Sequence, residues 1–476
     1  MDHDFLLHSM ELCNFASDNY HMDNKKAALE LGTKPVGQLL VQYALPAIVA
    51  MTASSLYNMV DSIFIGQGVG AMAISGLAIT FPFMNLSGAF GAAIGVGAST
   101  LISVRLGQKD YATAEKIFGN TISLNIIIGI VFAAVTLYFL EPILRFFGAS
   151  DNTLPYATEY MQIILMGNMF THMYFGMNAI LRASGKPRMA MMATIFTVVL
   201  NTILDPIFIY VLGWGIRGAA IATILSQMAA LSWQCWQFSH KDEILHFEKG
   251  IYKLNGNLVK NIIAIGISPF SMNATSCLIV IIFNKSLMHY GGDLAVGAYG
   301  IVNRISFLFF MVIFGLNQGM QPIAGYNYGA MRFDRLMQVL RYAIISATVV
   351  SFVGWLVSEL MPYYCARVFT SDQSLIKMAE RGLRVANIFL FVVGYQIVIT
   401  HFFQSIGKAK VSIFLSLSRQ LLFLMPILLV LPQLFGLDGV WFALPSSDLI
   451  AAIVAFAIMR KYMRQFKVQH QQQDNG

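Results

Sequence analysis

An amide, a carboxylate and a proline interrupt an otherwise apolar run in the stretch Asn201-Thr-Ile-Leu-Asp205-Pro206-Ile-Phe-Ile-Tyr210. The run, residues 189–212, is long enough to cross a bilayer as a helix. Asn201 and Asp205 stand four residues apart and so share one helical face. Pro206 has no N–H to donate, which leaves the carbonyl of Thr202 without its usual helical partner. Three oxygen-bearing groups thus converge at membrane depth, where an aspartate costs on the order of 2.5–3.5 kcal/mol on insertion scales. Such a carboxylate is expected to face a cavity or pathway rather than lipid. The alternative is a shallow Asp205 that accepts bonds at a helix terminus. Asp61, inside another apolar run, supplies a second acid. Two carboxylates and an amide suit a hard cation, so Asp61, Asp205 and Asn201 are candidate ligands for sodium, with a proton able to take its place.

The elements that must position these groups are membrane helices. Of 476 residues 57% are hydrophobic and 12% charged, and mean hydropathy is +0.64, more apolar surface than a soluble domain can hide. The apolar runs are about twenty residues or longer and apolar on all sides, which indicates helices rather than the alternating strands of a barrel. The expected fold is an all-α polytopic membrane protein. Twelve spans are predicted near 37–65, 72–103, 117–140, 157–180, 189–212, 218–238, 258–285, 294–322, 337–358, 379–401, 411–433 and 439–459, the longer ones tilted or bent as at Pro46, Pro82 and Pro269. The net charge of +7 falls mainly in loops, where it sets topology and excludes a nucleic-acid reading. Cys13, Cys235, Cys277 and Cys365 are scattered, with neither a disulfide framework nor metal-ligand spacing.

Alternate connections carry the basic residues, among them Arg105, Lys109 and Lys116, then Arg182, Lys186 and Arg188, then Arg332, Arg335 and Arg341. The positive-inside rule therefore puts both termini in the cytoplasm of a multi-pass plasma (inner) membrane protein. The connection with Arg367, Lys377, Arg381 and Arg384 is an exception. Residues 1–36 read as a cytoplasmic segment without a signal peptide, 461–476 as a cytoplasmic tail ending in a disordered QHQQQDNG.

The chain is duplicated. Gly97, Gly107 and Gly185 recur 222 positions later as Gly319, Gly329 and Gly407, and the connection RASGKPR recurs as QSIGKAK. Residues 37–238 and 258–460 thus form two pseudo-symmetric six-helix lobes joined by a linker at 239–257. Six is even, so both lobes enter the membrane in the same sense, as in transporters that rock two bundles about a central cavity. The duplication is broken where the acids lie: Asp61 corresponds to Asn284, and the counterpart of Asp205-Pro206 is near Met425-Pro426.

At these residues the chain resembles the multidrug and toxic compound extrusion (MATE) family. The resemblance runs over 37–460 and is carried by LPAIVAMTASSLYNMVDSIFIGQ, NTILDPIFIY, GKPR and GYNYGA. It implies twelve helices in two lobes around a V-shaped cavity, and a secondary active exporter of amphipathic, often cationic drugs and toxins driven by sodium ions or protons, with no other cofactor. It also implies a cation site in the first lobe, matched here by Tyr57 and Asp61, Asn178, Asn201 and Asp205, and Thr223. A second-lobe acidic site, used by one branch of the family, is not expected, because spans 7, 8 and 11 contain no Asp or Glu and span 10 holds only Glu380, at its start.

Gln318, Gln321, Asn327, Gln396 and Arg304 are candidates for lining a substrate cavity, against plain hydrogen bonding between helices. Arg419 and Asp448 are expected to pair between helices. A lipid-linked oligosaccharide flippase of related fold is the competing reading, and would present several basic side chains to its cavity where the central spans offer chiefly Arg304 and Lys285. An enzyme is not expected, since no catalytic constellation and no P-loop are present. A monomer in the bilayer is expected.

Overall fold

The computed structural model describes residues 30–240 and 243–474, which are helical with no strand among them. The expected N-terminal segment lies, up to residue 29, outside the described residues. The first lobe begins with α1 (Val36–Gly68), α2 (Ala71–Gly107), α3 (Tyr111–Tyr138) and the short α4 (Leu140–Phe146). It continues through α5 (Leu154–Met166), α6 (Asn168–Ala183), α7 (Pro187–Pro206) and α8 (Gly215–Gln237). The second begins with α9 (Gly256–Gly329), two helices meeting at Gly292, whose φ of 66° and ψ of −167° break the helical path. Then come α10 (Phe333–Leu360), α11 (Pro362–Arg367), α12 (Gln373–Ala386), α13 (Leu390–Ser405), α14 (Ala409–Leu417), α15 (Met425–Phe435) and α16 (Leu437–Asp474).

Among the described residues eight helices are long and apolar enough to cross a membrane, and the bent pair α12 and α13 makes a ninth candidate. α9 crosses twice, α8 with 23 residues reaches roughly 35 Å at 1.5 Å per residue, and α5 with α6 forms one further crossing. Twelve crossings in two lobes result. The helices run on through Pro46, Pro82 and Pro269. Apart from the π-helical segments Ile207–Val211 in the fifth span and Ser418–Leu424 in the eleventh, two expected spans are interrupted. The fourth breaks at Gly167, where a Cβ would sit 2.4 Å from the Ile224 side chain, and the tenth bends by 55° between α12 and α13. The same bond marks both breaks: Ser87 Oγ donates to Asn168 Oδ1 at 2.8 Å in the first lobe, and Ser306 Oγ to Asn387 Oδ1 at 3.1 Å in the second. The tail expected to be disordered instead continues α16 to Asp474.

The repeat glycines have physical work in this packing. A Cβ at Gly107 would lie 2.0 Å from the Tyr326 carbonyl, and one at Gly329 would lie 2.0 Å from the Val104 carbonyl. Each contact is the other displaced by 222 residues, and together they close the seam between the lobes at the basic-loop end. Gly185 (φ 94°) and Gly407 (φ 73°) end equivalent helices in the left-handed region that glycine tolerates, and Lys109 and Met331 share φ near 60° at equivalent turns. The linker is pinned to the first lobe, with Asn120 Nδ2 donating to the Lys253 carbonyl at 3.2 Å and Lys186 paired with Glu243 at 2.5 Å. At the opposite end Arg145 and Arg217 meet acids, and Arg381 and Arg384 do so too, which offsets two of the four basic residues of the exception noted in the sequence.

Candidate functional site

The polar cluster is built inside the first lobe by α1, α5, α7 and α8. Asn201 and Asp205 lie on the buried face of α7, as their spacing predicts, and Asn201 Nδ2 donates to Asp205 Oδ1 at 3.2 Å and to Thr223 Oγ1 at 3.5 Å. Thr223 Oγ1 in turn donates to the Ala219 carbonyl at 3.1 Å and meets the Tyr57 hydroxyl at 3.1 Å. Asp61, one turn beyond Tyr57 on α1, is buried with its carboxyl group adjoining that of Asp205. Five of the six expected residues are therefore brought together. After Pro206 the helix widens into a π-helical segment, Ile207–Val211, in which Leu212 N reaches back to the Ile207 carbonyl at 2.9 Å. The carboxylate thus sits where regular α-helical bonding stops.

Hydrogen bonding in the cluster is incomplete in one particular way. Asp61 Oδ1, Asn201 Oδ1 and Asp205 Oδ2 are all buried without a donor. Three orphaned oxygens and no orphaned donor are what a bound cation, or a proton between the two carboxyls, would satisfy. No cluster of three or more His, Cys, Asp or Glu suited to a metal occurs among the described residues, and a set of oxygens alone has the chemistry for a hard cation rather than a soft one.

Asn178 does not join the cluster. Its Nδ2 donates to the Ala190 carbonyl at 2.9 Å and to Thr194 Oγ1 at 3.2 Å, and its Oδ1 accepts from Arg182. Ala190 precedes Asn201 by eleven residues on the same helix, which is about 16 Å of helical rise. The amide is committed to holding Arg182 toward the basic-loop end. One neighbour was not legible in the sequence: Tyr160 of α5 is buried against Thr223 and within the field of Asp61 and Asp205. It sits among ordinary apolar residues with no motif around it.

The expected cavity-lining residues disperse. Gln321 Nε2 crosses the interlobe seam to Ser99 Oγ at 3.1 Å and Thr100 Oγ1 at 2.8 Å, and Gln318 Nε2 lies 3.2 Å from Met51 Sδ. Both lie beside Arg182, Ser99 and Ser103, with no room among them for a water molecule. Gln396 is buried within its own lobe, donating to Thr400, and Arg304 is exposed. Asn327 belongs to a latch. Its Nδ2 donates to the Leu31 carbonyl at 3.1 Å, Arg335 donates to the Lys34 carbonyl at 2.5 Å and the Leu31 carbonyl at 3.3 Å, and Arg332 donates to the Gly32 carbonyl. The turn before α1 is thereby held by the second lobe. Arg419 Nε and Asp448 Oδ1 pair at 2.7 Å, as the sequence suggested.

Two six-helix lobes with a polar cluster buried in one of them are the architecture of a membrane transporter. Residues 46–207 and 270–430 match the MatE family, about two thirds of the chain with one match in each half, and the chain belongs to that family. It is similar to the multidrug export protein MepA of Staphylococcus aureus strain N315, at 28% identity over 425 residues, 89% of this chain and 94% of that one. MepA of Staphylococcus haemolyticus strain JCSC1435 is 29% identical over 420 residues, 88% of this chain and 92% of that one. A multidrug resistance MATE family transporter of the MOP superfamily, solved in an outward-facing conformation, superposes with a TM-score of 0.87 at 26% identity, covering 92% of this chain and 98% of its own. A MOP superfamily transporter from Pyrococcus furiosus Vc1, described as having a binding pocket of reverse polarity, matches with the same values.

Proposed function

We propose that this transporter is a secondary active exporter, a monomer of the plasma membrane, that expels amphipathic and often cationic organic compounds in exchange for sodium ions or protons. The observation that carries the reading is the set of three buried, donor-less oxygens on Asp61, Asn201 and Asp205. An ion entering there offsets the electrostatic cost of burying two carboxylates side by side. The names of the MepA relatives support drugs as the exported class, and they do not favour the oligosaccharide flippase reading.

With the basic loops taken as cytoplasmic, the contacts of Gly107 and Gly329 and the latch at residues 31–34 close the inner side. Cation binding between α1 and α7 then biases the first lobe toward one shape, and ion release biases it toward the other. The ion shifts this equilibrium only by its differential affinity for the two states. The test is ethidium efflux from vesicles under an imposed sodium gradient and, separately, a proton gradient. One gradient is expected to drive efflux and identify the coupling ion; dye movement indifferent to both overturns the exchange mechanism.

A further inference from the structure

At the basic-loop end a cavity of about 300 Å³ opens between the start of α1 and the start of α7, lined by Lys34, Gln42, Gly185, Lys186, Pro187, Arg188 and Met189. Lys34 pairs with Glu30 at 2.5 Å and Lys186 with the buried Glu243 at 2.5 Å, while Arg188 is exposed and has no ion pair among the described residues. Among the described residues, three cations stand against two carboxylates at the cavity. The free N–H groups at the start of the 20-residue α7 add to that field, since Lys186 provides no side-chain cap there.

Two apolar stripes run from this cavity into the membrane. On α7, Arg188, Met192, Phe196, Val199 and Ile203 follow at helical spacing along one exposed face. On α1, Val41, Leu45 and Val49 do the same beside Gln42. The two helices pack on each other, and the furrow along their outer surface is bordered by these exposed apolar side chains. A cationic pocket at the level of the loops, continuous with a furrow of exposed Leu, Val, Ile, Met and Phe, is complementary to one kind of partner. We infer that the cavity and furrow bind an anionic phospholipid, its phosphate among Lys34, Lys186 and Arg188 and its acyl chains between α1 and α7.

The lipid would join the ends of the two helices whose inner faces carry Asp61 and Asp205. Ile203 is on the back of the turn that presents Asn201 and Asp205. A bound lipid therefore resists relative movement of α1 and α7 and acts on whatever transition the buried cluster undergoes.

The experiment reads lipid retention by native mass spectrometry of full-length protein released from bilayers of phosphatidylcholine and phosphatidylglycerol. Wild type is expected to keep phosphatidylglycerol preferentially. Lys34→Gln/Arg188→Gln is expected to lose that preference on the order of tenfold. Arg464→Gln, an exposed basic position elsewhere at the same end, is expected to leave it intact. A second variant, Leu45→Ser/Phe196→Ser, tests the furrow and is expected to weaken retention with the headgroup pocket unchanged. The inference is overturned by equal retention in wild type and Lys34→Gln/Arg188→Gln, by an equal loss in Arg464→Gln, or by displacement of the lipid with inorganic phosphate alone. That last result would make the pocket a phosphate site rather than a lipid site.

Discussion

At the scale of single residues, the cluster separates groups that hold an ion from groups that hold the lobe. Asp61→Asn removes charge with little change in shape, so it is expected to reduce gradient-driven ethidium efflux to the level of empty vesicles while the protein stays inserted and monodisperse. Wild-type efflux in that variant would remove Asp61 from the mechanism. Asn178 makes the opposite prediction. It accepts from Arg182 and donates to Ala190 and Thr194, and deleting one partner of a buried charged hydrogen bond costs about 1–3 kcal/mol. Asn178→Ala is therefore expected to lower the thermal midpoint in detergent and leave the ion concentration for half-maximal efflux unchanged. A shifted ion dependence without loss of stability would return Asn178 to the ion site.

At the scale of elements, the decisive feature is the change from α- to π-helix after Pro206. A helix that already departs from regular bonding can alter its path without breaking further bonds. Occupancy of Asp205 is accordingly expected to change how α7 lies against α1. Asp205→Asn and low pH, which both neutralise the carboxylate, should move the distance between spin labels on α1 and α7 in the same direction. Distances unchanged by pH, sodium and substitution alike would exclude α7 as the coupling element. Much of this level was legible in the sequence, because a proline one residue after an acid in an apolar run permits few readings. The breaks at Gly167 and near Asn387 were not. Each depends on a serine from a helix 81 positions away in sequence, and neither run contains a proline to announce it. The latch was also hidden: Arg332 and Arg335 read as topological charges, yet the carbonyls of residues 31–34 capture them.

At the scale of the whole molecule, duplication predicts more than a fold. Gly107 against Tyr326 and Gly329 against Val104 are one contact made twice, and each brings backbone to backbone with no room for a methyl group. An alanine at either position must push the lobes apart by roughly 1.5 Å to restore van der Waals separation. Because the two contacts are symmetric, Gly107→Ala and Gly329→Ala are expected to have the same effect, opening the seam at the basic-loop end. Ser103, buried on α2 beside the seam, offers the readout. In a background freed of the native cysteines, Ser103→Cys should react faster with a membrane-impermeant thiol reagent applied from that side when either alanine is present. Gly300→Ala, where a Cβ meets nothing within 4 Å, should leave the rate alone. Equal labelling in all four proteins would mean that the seam yields without opening, and the glycines would then be ordinary helix-packing residues rather than the closure of the transport path.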